Sequence, residues 1–390
     1  MPEISARQVK ICLAVAIALQ VFVVGLFYFD IIHDPDHGVG DFIFHHGGDE
    51  AEYFALAQSL IKGSPLKSQF SLGFPVMLVP WILILHPKTA TDLKVPVALF
   101  NSLLLFPLAQ TLFLSFAVRL LRSRTIAVIG LFIWTVLPVA LFVGVALTGR
   151  PALGAIWAVH LPWLQVLSDP PAAVLTLTMF WIMFRQLDAE EVRHQRLWAA
   201  LLGAICGLAL LVRANTILTV AIVFLILAAS RRWSAFVIAG AATALTYTPQ
   251  FAYNIANFGT PFTTGYQALG IGPSSGLMSI TYLLQALTGP NAIIAWLIFL
   301  VSYMLPVVPM SILWGKNWVG AVILGLWWLG YILFFSLYYY SWDGGFTRFL
   351  IPAYPALALL ISTLFLPKLR RNASEGSTAN NHPAQEGSPQ

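Results

Sequence analysis

Charged side chains are scarce in this chain. Only 9% of its 390 residues are Asp, Glu, Lys or Arg, whereas 58% are hydrophobic. Apolar runs long enough to cross a hydrocarbon core recur between Ile11 and Leu366. This composition excludes a soluble globular protein and predicts an all-α polytopic membrane protein. The first run, 11–29, follows Arg7 and Lys10 and precedes no small-residue cleavage site, which favours a retained signal anchor.

Cysteine is nearly absent as well. Cys12 and Cys206 fall inside apolar runs, where a thiol behaves as a small hydrophobic group, so neither a disulfide framework nor a zinc site is indicated. Four histidines share one loop with several aspartates: His33, His37, His45 and His46. Their spacing fits no standard zinc signature, and such loops are usually only solvated. We predict no certain cofactor, and a divalent metal ion at this loop stays open as the alternative.

Ten apolar segments are candidate transmembrane helices: 11–29, 95–118, 126–146, 168–185, 197–212, 215–230, 234–253, 291–313, 318–338 and 347–366. The run 70–85 is ambiguous because it is apolar but contains Gly73, Pro75 and Pro80. If it lies at the outer surface, seven of the 21 Lys and Arg residues face outward: Lys62, Lys67, Lys88, Lys94, Arg150, Arg213 and Arg348. The other 14 then face the cytosol, and a crossing segment would reverse that ratio. The positive-inside rule thus predicts a surface helix, about ten spans and cytosolic termini.

Long soluble loops are missing from the predicted cytosolic side. The loops there are 119–125, 186–196, 231–233 and 314–317, each too short for a nucleotide-binding domain, and no nucleic-acid partner is indicated. The first outer loop, 30–94, holds eight of the 16 acids: Asp30, Asp34, Asp36, Asp41, Asp49, Glu50, Glu52 and Asp92. We predict a single membrane domain, 1–371, followed by a tail, 372–390, that is disordered and cytosolic because it is polar and lacks an apolar period.

The segment 47–63 places three acids at the start of a short helix in this outer loop. Its apolar side chains share one face: Tyr53, Leu56, Ala57, Leu60 and Ile61. The helix is therefore expected to lie in the interface plane. Two interpretations of Asp49 remain open. It follows two glycines and precedes Glu52 by three residues, as in an N-cap with a capping box, or its carboxylate is available for chemistry at the membrane surface.

Several short motifs lie at the outer ends of the predicted spans. They are Asp49-Glu50 at the start of the surface helix, GFPVMLVP from Gly73 to Pro80, Ser168-Asp169, GLALLVRANTILTV around Arg213, NFGTPFTTGYQ from Asn257 to Gln267, and WDGGFTRFLIP from Trp342 to Pro352. In this order and placement the chain resembles the GT-C superfamily of glycosyltransferases that use lipid-linked sugars. That group includes protein O-mannosyltransferases and lipid A aminoarabinose transferases. The chain departs from it in having no large outer domain after the tenth predicted span, so acceptor recognition by such a domain is not expected.

The resemblance implies roles for particular residues. Asp49, the first outer-loop aspartate, would be the general base, with Glu50 as the second catalytic candidate. Arg213 and Arg348 would neutralise the lipid phosphate. Further substrate contacts are expected from four residues: Tyr53, Lys62, Asp169 and Asp343.

Each charged residue of this set also has a structural interpretation. Arg213 lies between two runs of about 16 residues and would then extend its guanidinium to the lipid headgroups. Arg348 would anchor its helix at the interface. Asp169 and Asp343 would cap helices or pair with arginines instead of binding substrate.

The resemblance implies a glycosyltransferase at the outer face of a bacterial plasma membrane. It would move a hexose or pentose from a polyprenyl-phosphate donor to a hydroxyl of a glycan, lipid or protein. A phosphate leaving group needs a cation, and the acceptor hydroxyl must lose a proton, so one carboxylate and one or two guanidiniums suffice. Direct displacement would invert the anomeric centre. A lipid or glycan transporter or flippase is the alternative, although no internal repeat or mid-membrane charge supports it; an assembly subunit would leave the acidic loop unexplained.

Overall fold

The computed structural model describes residues 3–29, 48–146, 163, 165–270, 276–290, 292–339 and 346–366. The helices are α1 (Ala6–Tyr28), α2 (Asp49–Ile61), α3 (Gly73–Leu85), α4 (Lys94–Phe100), α5 (Phe106–Leu121), α6 (Arg124–Ala146), α7 (Asp169–Asp188), α8 (Val192–Val212), α9 (Ile217–Ala229), α10 (Trp233–Phe258), α11 (Gly265–Ala268), α12 (Ile280–Thr288), α13 (Ala292–Met304), α14 (Val307–Trp314), α15 (Trp318–Ser336), α16 (Phe346–Phe349) and α17 (Tyr354–Ser362). Within the described ranges the only extended pairing is one isolated antiparallel bridge, Met278 to Tyr338. The predicted all-α class is confirmed.

Four of the described helical stretches are long and apolar enough to cross a membrane, judged by length and composition: Ala90–Leu121, Val192–Val212, Ala295–Trp314 and Trp318–Ser336. Four shorter apolar helices accompany them: Gly73–Leu85, Arg124–Leu137, Ala214–Ala229 and Tyr354–Phe365. The prediction of an integral membrane protein agrees with these helices, and the number of ten spans stays a prediction. The predicted tail, Arg150 and the histidines of the first loop lie outside the described residues.

The bundle has two ends with different polar contacts. At one end, the start of α7 meets the end of α8, and the candidate site described below is built there; we call this the site end. At the opposite end, Arg119 and Asp188 form an ion pair, and Asn317 donates from Nδ2 to the Leu120 carbonyl oxygen at 2.7 Å. Successive long helices therefore run alternately between the two ends.

The core between the ends is apolar and rich in aromatic side chains. Phe116, Phe180 and Trp327 come from α5, α7 and α15, are almost completely buried, and have ring centroids 4.5 to 5.9 Å apart. Such rings bury large areas and prefer tilted or edge-to-face contacts. These contacts fix α7 and α15, two of the helices that carry the site.

A stripe of small residues brings α8 and α10 close together. A Cβ atom on Gly203 would collide with the Ala239 carbonyl oxygen, and one on Gly207 would press on Thr246. Small residues allow helix backbones to approach in this way in membrane proteins. The middle parts of α8 and α10 are thereby held side by side.

Helix α3 begins and ends at the site end. Its first residue, Gly73, packs directly against the Leu211–Val212 backbone at the end of α8. The chain that follows α3 is also tied to the site end, because Asn101 donates from Nδ2 to the Gln165 carbonyl oxygen at 3.0 Å. At 13 residues, α3 is about 20 Å long, shorter than a hydrocarbon core. The surface position of α3 stays a prediction.

Candidate active site

The start of α2 does not form the capping box that was one interpretation of the sequence. Gly48 is the N-cap residue, with φ of 85°, and no side chain caps the helix. Glu52 instead accepts hydrogen bonds from Ser68 Oγ at 2.6 Å and from the backbone and side-chain nitrogens of Gln69 at 3.1 and 3.2 Å. Asp49 is the first helical residue, and its Oδ2 accepts from Arg348 Nη2. The carboxylate of Asp49 is therefore engaged by a cation and not by the helix end.

Asp169 is the centre of the charged cluster. Its side chain is fully buried at the start of α7, where the helix dipole favours an anion. Asp169 Oδ2 accepts from Arg213 Nη1 at 2.7 Å and from Arg348 Nε at 3.2 Å. One buried carboxylate thus holds both guanidiniums together, which a buried charge requires for compensation.

Ser168 and Tyr53 extend the cluster toward α2. Ser168 Oγ accepts from Arg213 Nη1 at 2.9 Å and lies 3.0 Å from the Tyr53 hydroxyl. Tyr53 is almost completely buried, and burial raises its pKa. Its ring packs on Phe70 at 4.5 Å and Phe74 at 4.9 Å between centroids. Tyr53 is therefore fixed in position, and its hydroxyl orients the serine that holds Arg213.

The two arginines point into the protein and not toward lipid headgroups. Arg213 follows the last residue of α8 with an extended backbone, φ −156° and ψ 116°, which turns its side chain out of the helix. Only 12% of the Arg213 side chain and 25% of the Arg348 side chain are exposed. Both guanidinium carbons lie over the Phe349 ring, at 5.6 and 5.9 Å from its centroid.

The cluster lies beside a cavity of about 860 Å³. Polar lining comes from α2, the loop before α3, α10 and the segment around α11: Asp49, Glu50, Gln69, Ser71, Gln250, Asn254, Thr264 and Tyr266. Apolar and aromatic lining comes mainly from α15, α16 and the strand-like segment before α12: Phe334, Phe335, Tyr338, Phe349, Leu277 and Met278. Arg213 and Arg348 line the same cavity, which therefore offers cations, polar groups and an apolar surface to one ligand.

Glu50 is an acid in an unfavourable setting for its charge. It lines the cavity yet is only 2% exposed. Burial raises its pKa to about 7, and the neighbouring charges of Asp49 and Asp169 act in the same direction, while Arg348 opposes them. Near neutral pH the Glu50 side chain is therefore present in both protonation states.

The remaining predicted site residues are placed differently. Lys62 lies at the opposite end of α2 from Asp49, roughly 20 Å away for a helix of this length, and does not line the cavity. Asp343 lies outside the described residues. Within the part of the chain that the structure describes, no group of three His, Cys, Asp or Glu side chains is arranged to hold a metal ion. The histidine loop lies outside that part.

Several residues that line the cavity were not predicted as site residues from the sequence. Gln250 and Asn254 lie four residues apart on one face of α10, and Gln250 Nε2 donates to Asn254 Oδ1 at 2.9 Å. Two amides at this spacing near the end of an apolar helix could have indicated a polar site in the sequence. Nothing in the local sequence indicated that Gln69 lines the cavity, because its position depends on the hydrogen bonds that it donates to Glu52.

Comparison with solved structures finds this architecture elsewhere. The crystal structure of ArnT from Cupriavidus metallidurans bound to undecaprenyl phosphate matches with a TM-score of 0.55 at 15% sequence identity, over 92% of this chain and 61% of ArnT. The structure of the same ArnT in the apo state matches with a TM-score of 0.54 at 16% identity, over the same shares. The chain shares the fold of this ArnT.

At this level of identity the likeness to ArnT concerns the fold alone. The chain spans about 61% of the length of ArnT. No protein-family model and no curated protein sequence matches it. The roles of the individual residues are therefore argued from their own geometry.

Proposed function

We propose that the chain is a glycosyltransferase that moves a sugar from a polyprenyl-phosphate donor to an acceptor hydroxyl, with its site at the outer face of a bacterial plasma membrane. One observation carries the proposal: Arg213, Arg348 and the partly exposed carboxylate of Asp49 meet at one cavity. The fold supports it, because the similar ArnT was crystallised with undecaprenyl phosphate.

The arginines suit a lipid phosphate. Among the described residues, Arg213 uses only its Nη1 for hydrogen bonds, so its Nε and Nη2 donors remain for a ligand. Arg348 uses Nε and Nη2, which leaves Nη1. A planar guanidinium binds phosphate oxygens with two parallel hydrogen bonds. Two of them neutralise the charge that develops on the phosphate as it leaves.

The apolar part of the cavity suits an isoprenoid chain. Phe334, Phe335, Tyr338 and Phe349 line it, and Phe349 also lies beneath both guanidiniums. A ligand with a phosphate on the arginines would thus meet aromatic surface on the next atoms. A free sugar phosphate would leave this surface without a partner, so a lipid-linked donor fits better.

Asp49 is the proposed general base. The acceptor oxygen forms a bond to the anomeric carbon while the bond from that carbon to the phosphate oxygen breaks, and its electron pair leaves with the phosphate. The acceptor proton passes to the Asp49 carboxylate. No enzyme nucleophile is needed, so the configuration at the anomeric carbon inverts.

The rival proposal, a lipid or glycan transporter, receives no specific support. Transporters keep charged groups near mid-membrane. In the described helices of this bundle, Asp, Glu, Lys and Arg lie at the ends and not in the middle. This distribution favours chemistry at one face.

Purified protein incubated with polyprenyl-phosphate sugars of different hexoses and pentoses tests the proposal. With glycan, lipid and peptide acceptors in the mixture, at least one donor is expected to release polyprenyl phosphate in step with product of inverted configuration. If every donor stays intact with every acceptor while the protein moves lipid-linked sugar between vesicle leaflets, the transporter is correct instead.

A further inference from the structure

Arg348 is shared by two carboxylates that differ in accessibility. Asp169 has no exposed side-chain surface and also binds Arg213. Asp49 is 29% exposed, binds only Arg348 among the described residues, and lies at the cavity wall. One carboxylate is built into the protein, and the other faces the space in which a ligand would bind.

The charges of the cluster balance without any ligand. Arg213 and Arg348 contribute two positive charges, and Asp49 and Asp169 contribute two negative ones. Glu50 adds little negative charge below neutral pH, because burial raises its pKa to about 7. A lipid phosphate brings at least one more negative charge into this low-dielectric site, where an uncompensated anion is costly.

Among the described contacts Arg348 has only Nη1 free, so it can hold a phosphate with two parallel hydrogen bonds only if one of the carboxylates yields its donor. Asp169 cannot, since its side chain has no exposed surface and is also held in place by Arg213. Asp49 can, because it makes a single ion pair at the open end of α2, and Gly48 before it carries no side chain that would hold it in place.

We propose that Asp49 is a latch on Arg348: the ion pair holds the carboxylate in the empty site, and the phosphate of a lipid donor displaces it by taking over the Arg348 donors. This inference rests on the proposed function and adds an order of events to it: the donor binds before Asp49 can act as the base. In the empty site Asp49 Oδ2 accepts from Arg348, and once released this oxygen is free to accept a hydrogen bond from the acceptor hydroxyl. Asp49 thus becomes able to take the acceptor proton only after the donor has bound.

The latch makes an unusual prediction about binding, because the two carboxylates on Arg348 should have opposite effects. Asp49→Asn removes a competitor, so the Kd for polyprenyl phosphate is expected to fall about 5-fold or more, at the lower end of ordinary coupling between ligands. Asp169→Asn removes the group that positions both arginines, so the Kd is expected to rise. A general base without a latch role would change the Kd only through its charge, and equally with or without Arg348.

Binding of polyprenyl phosphate to the purified full-length variants, measured by calorimetry in detergent, gives the result directly. Inorganic phosphate in place of the lipid shows whether the headgroup alone releases the latch. Size-exclusion profiles verify folding, and Asp49→Ser replaces Asp49→Asn if the latter aggregates.

A double substitution isolates the contact. In an Arg348→Gln background, Asp49→Asn should no longer tighten binding, because the pair it would break is already absent. Equal tightening in both backgrounds would overturn the latch, as would unchanged or weaker binding by Asp49→Asn alone. These results leave the glycosyltransferase proposal in place if wild-type protein binds the lipid and transfers sugar. If wild-type protein does not bind the lipid at all, both proposals fail.

Discussion

Asp49 is the residue on which the proposed chemistry depends most. Asp49→Asn keeps the size of the side chain and removes the proton acceptor, so we expect the transfer rate to fall about 100- to 10,000-fold while the protein stays folded. Initial rates with a saturating lipid-linked donor provide the measurement.

Asp92 offers the matched control for this substitution. It is an exposed carboxylate of the same predicted outer loop, and it accepts hydrogen bonds from the Lys88 and Thr89 backbone nitrogens outside the cavity. Asp92→Asn should leave the rate nearly unchanged. Near-normal transfer by Asp49→Asn would assign the base role to Glu50 instead.

Glu50 should give the protein a measurable pH dependence. Its pKa is raised from 4.5 to about 7 by burial, so the folded state binds its proton more tightly than the unfolded state. Its contribution to stability is therefore complete below about pH 4.5 and is lost as the pH rises through 7. Glu50→Gln should remove up to roughly 3 kcal/mol of this dependence.

Thermal unfolding of both proteins in detergent between pH 4.5 and 8 measures the difference. The wild-type Tm should decline relative to that of Glu50→Gln as the pH rises. Parallel curves would mean that Glu50 titrates in the folded protein as it does in water.

Single site residues could be predicted from the sequence where their position at the end of a span was enough to identify them. Arg213 and Arg348 stood out because few cations occur at outer span ends, and the structure brings both to one cavity. Lys62 belonged to the same set, but 13 residues of helix separate it from Asp49. The burial of Asp169 was not predictable, since it follows from contacts with residues 44 and 179 positions away.

Among the elements, α3 depends on one close contact. A Cβ atom at Gly73 would overlap the Leu211–Val212 backbone, so Gly73→Ala must push α3 away from the end of α8, next to Arg213. We expect a loss of about 1 to 3 kcal/mol in the free energy of unfolding and a weaker affinity for polyprenyl phosphate.

Gly240→Ala is the control for this effect. Its Cβ would meet only the Phe224 ring, at 3.7 Å, an ordinary contact, and alanine favours a helix interior by up to about 1 kcal/mol. It should therefore leave stability equal or higher. Equal behaviour of the two variants would show that α3 has room to move.

The ends of the helices were predictable where charged residues flank an apolar run on both sides. The predicted spans 197–212 and 215–230 correspond to α8 and α9 within a few residues. The predicted span 95–118 instead contains a π-helical turn, Asn101–Leu105, between α4 and α5. In that turn, Asn101 donates a hydrogen bond to the Gln165 carbonyl oxygen. A contact between residues so far apart in the chain cannot be predicted from the local sequence.

For the whole molecule, the side on which each loop lies is the property still to be measured. Lys88 and Arg124 are exposed and lie after α3 and at the start of α6. If α3 stays at the outer surface, single cysteines at these two positions should react with a membrane-impermeant thiol reagent from opposite sides. The native Cys206 is buried and should stay unreactive. Labelling of both positions from one side would contradict the topology.

The membrane class of the molecule followed from composition, but its site did not. The site joins segments around residues 49, 169, 213 and 348. The sequence places these segments at the same end of the bundle but does not show that their side chains come into contact. Their meeting depends on helix packing such as the Gly203 to Ala239 contact, which is set by side-chain size along two faces.

The wide spacing of these residues has a consequence for biosynthesis. Asp169 leaves the ribosome 44 residues ahead of Arg213, whereas Asp49 must wait for 299 further residues before Arg348 exists. A nascent chain therefore carries the Asp49 carboxylate without its counterion through most of translation. The proposed site for lipid phosphate is therefore incomplete until the segment with Arg348 has been made, and under this proposal an unfinished chain would not withdraw lipid carrier from the membrane pool.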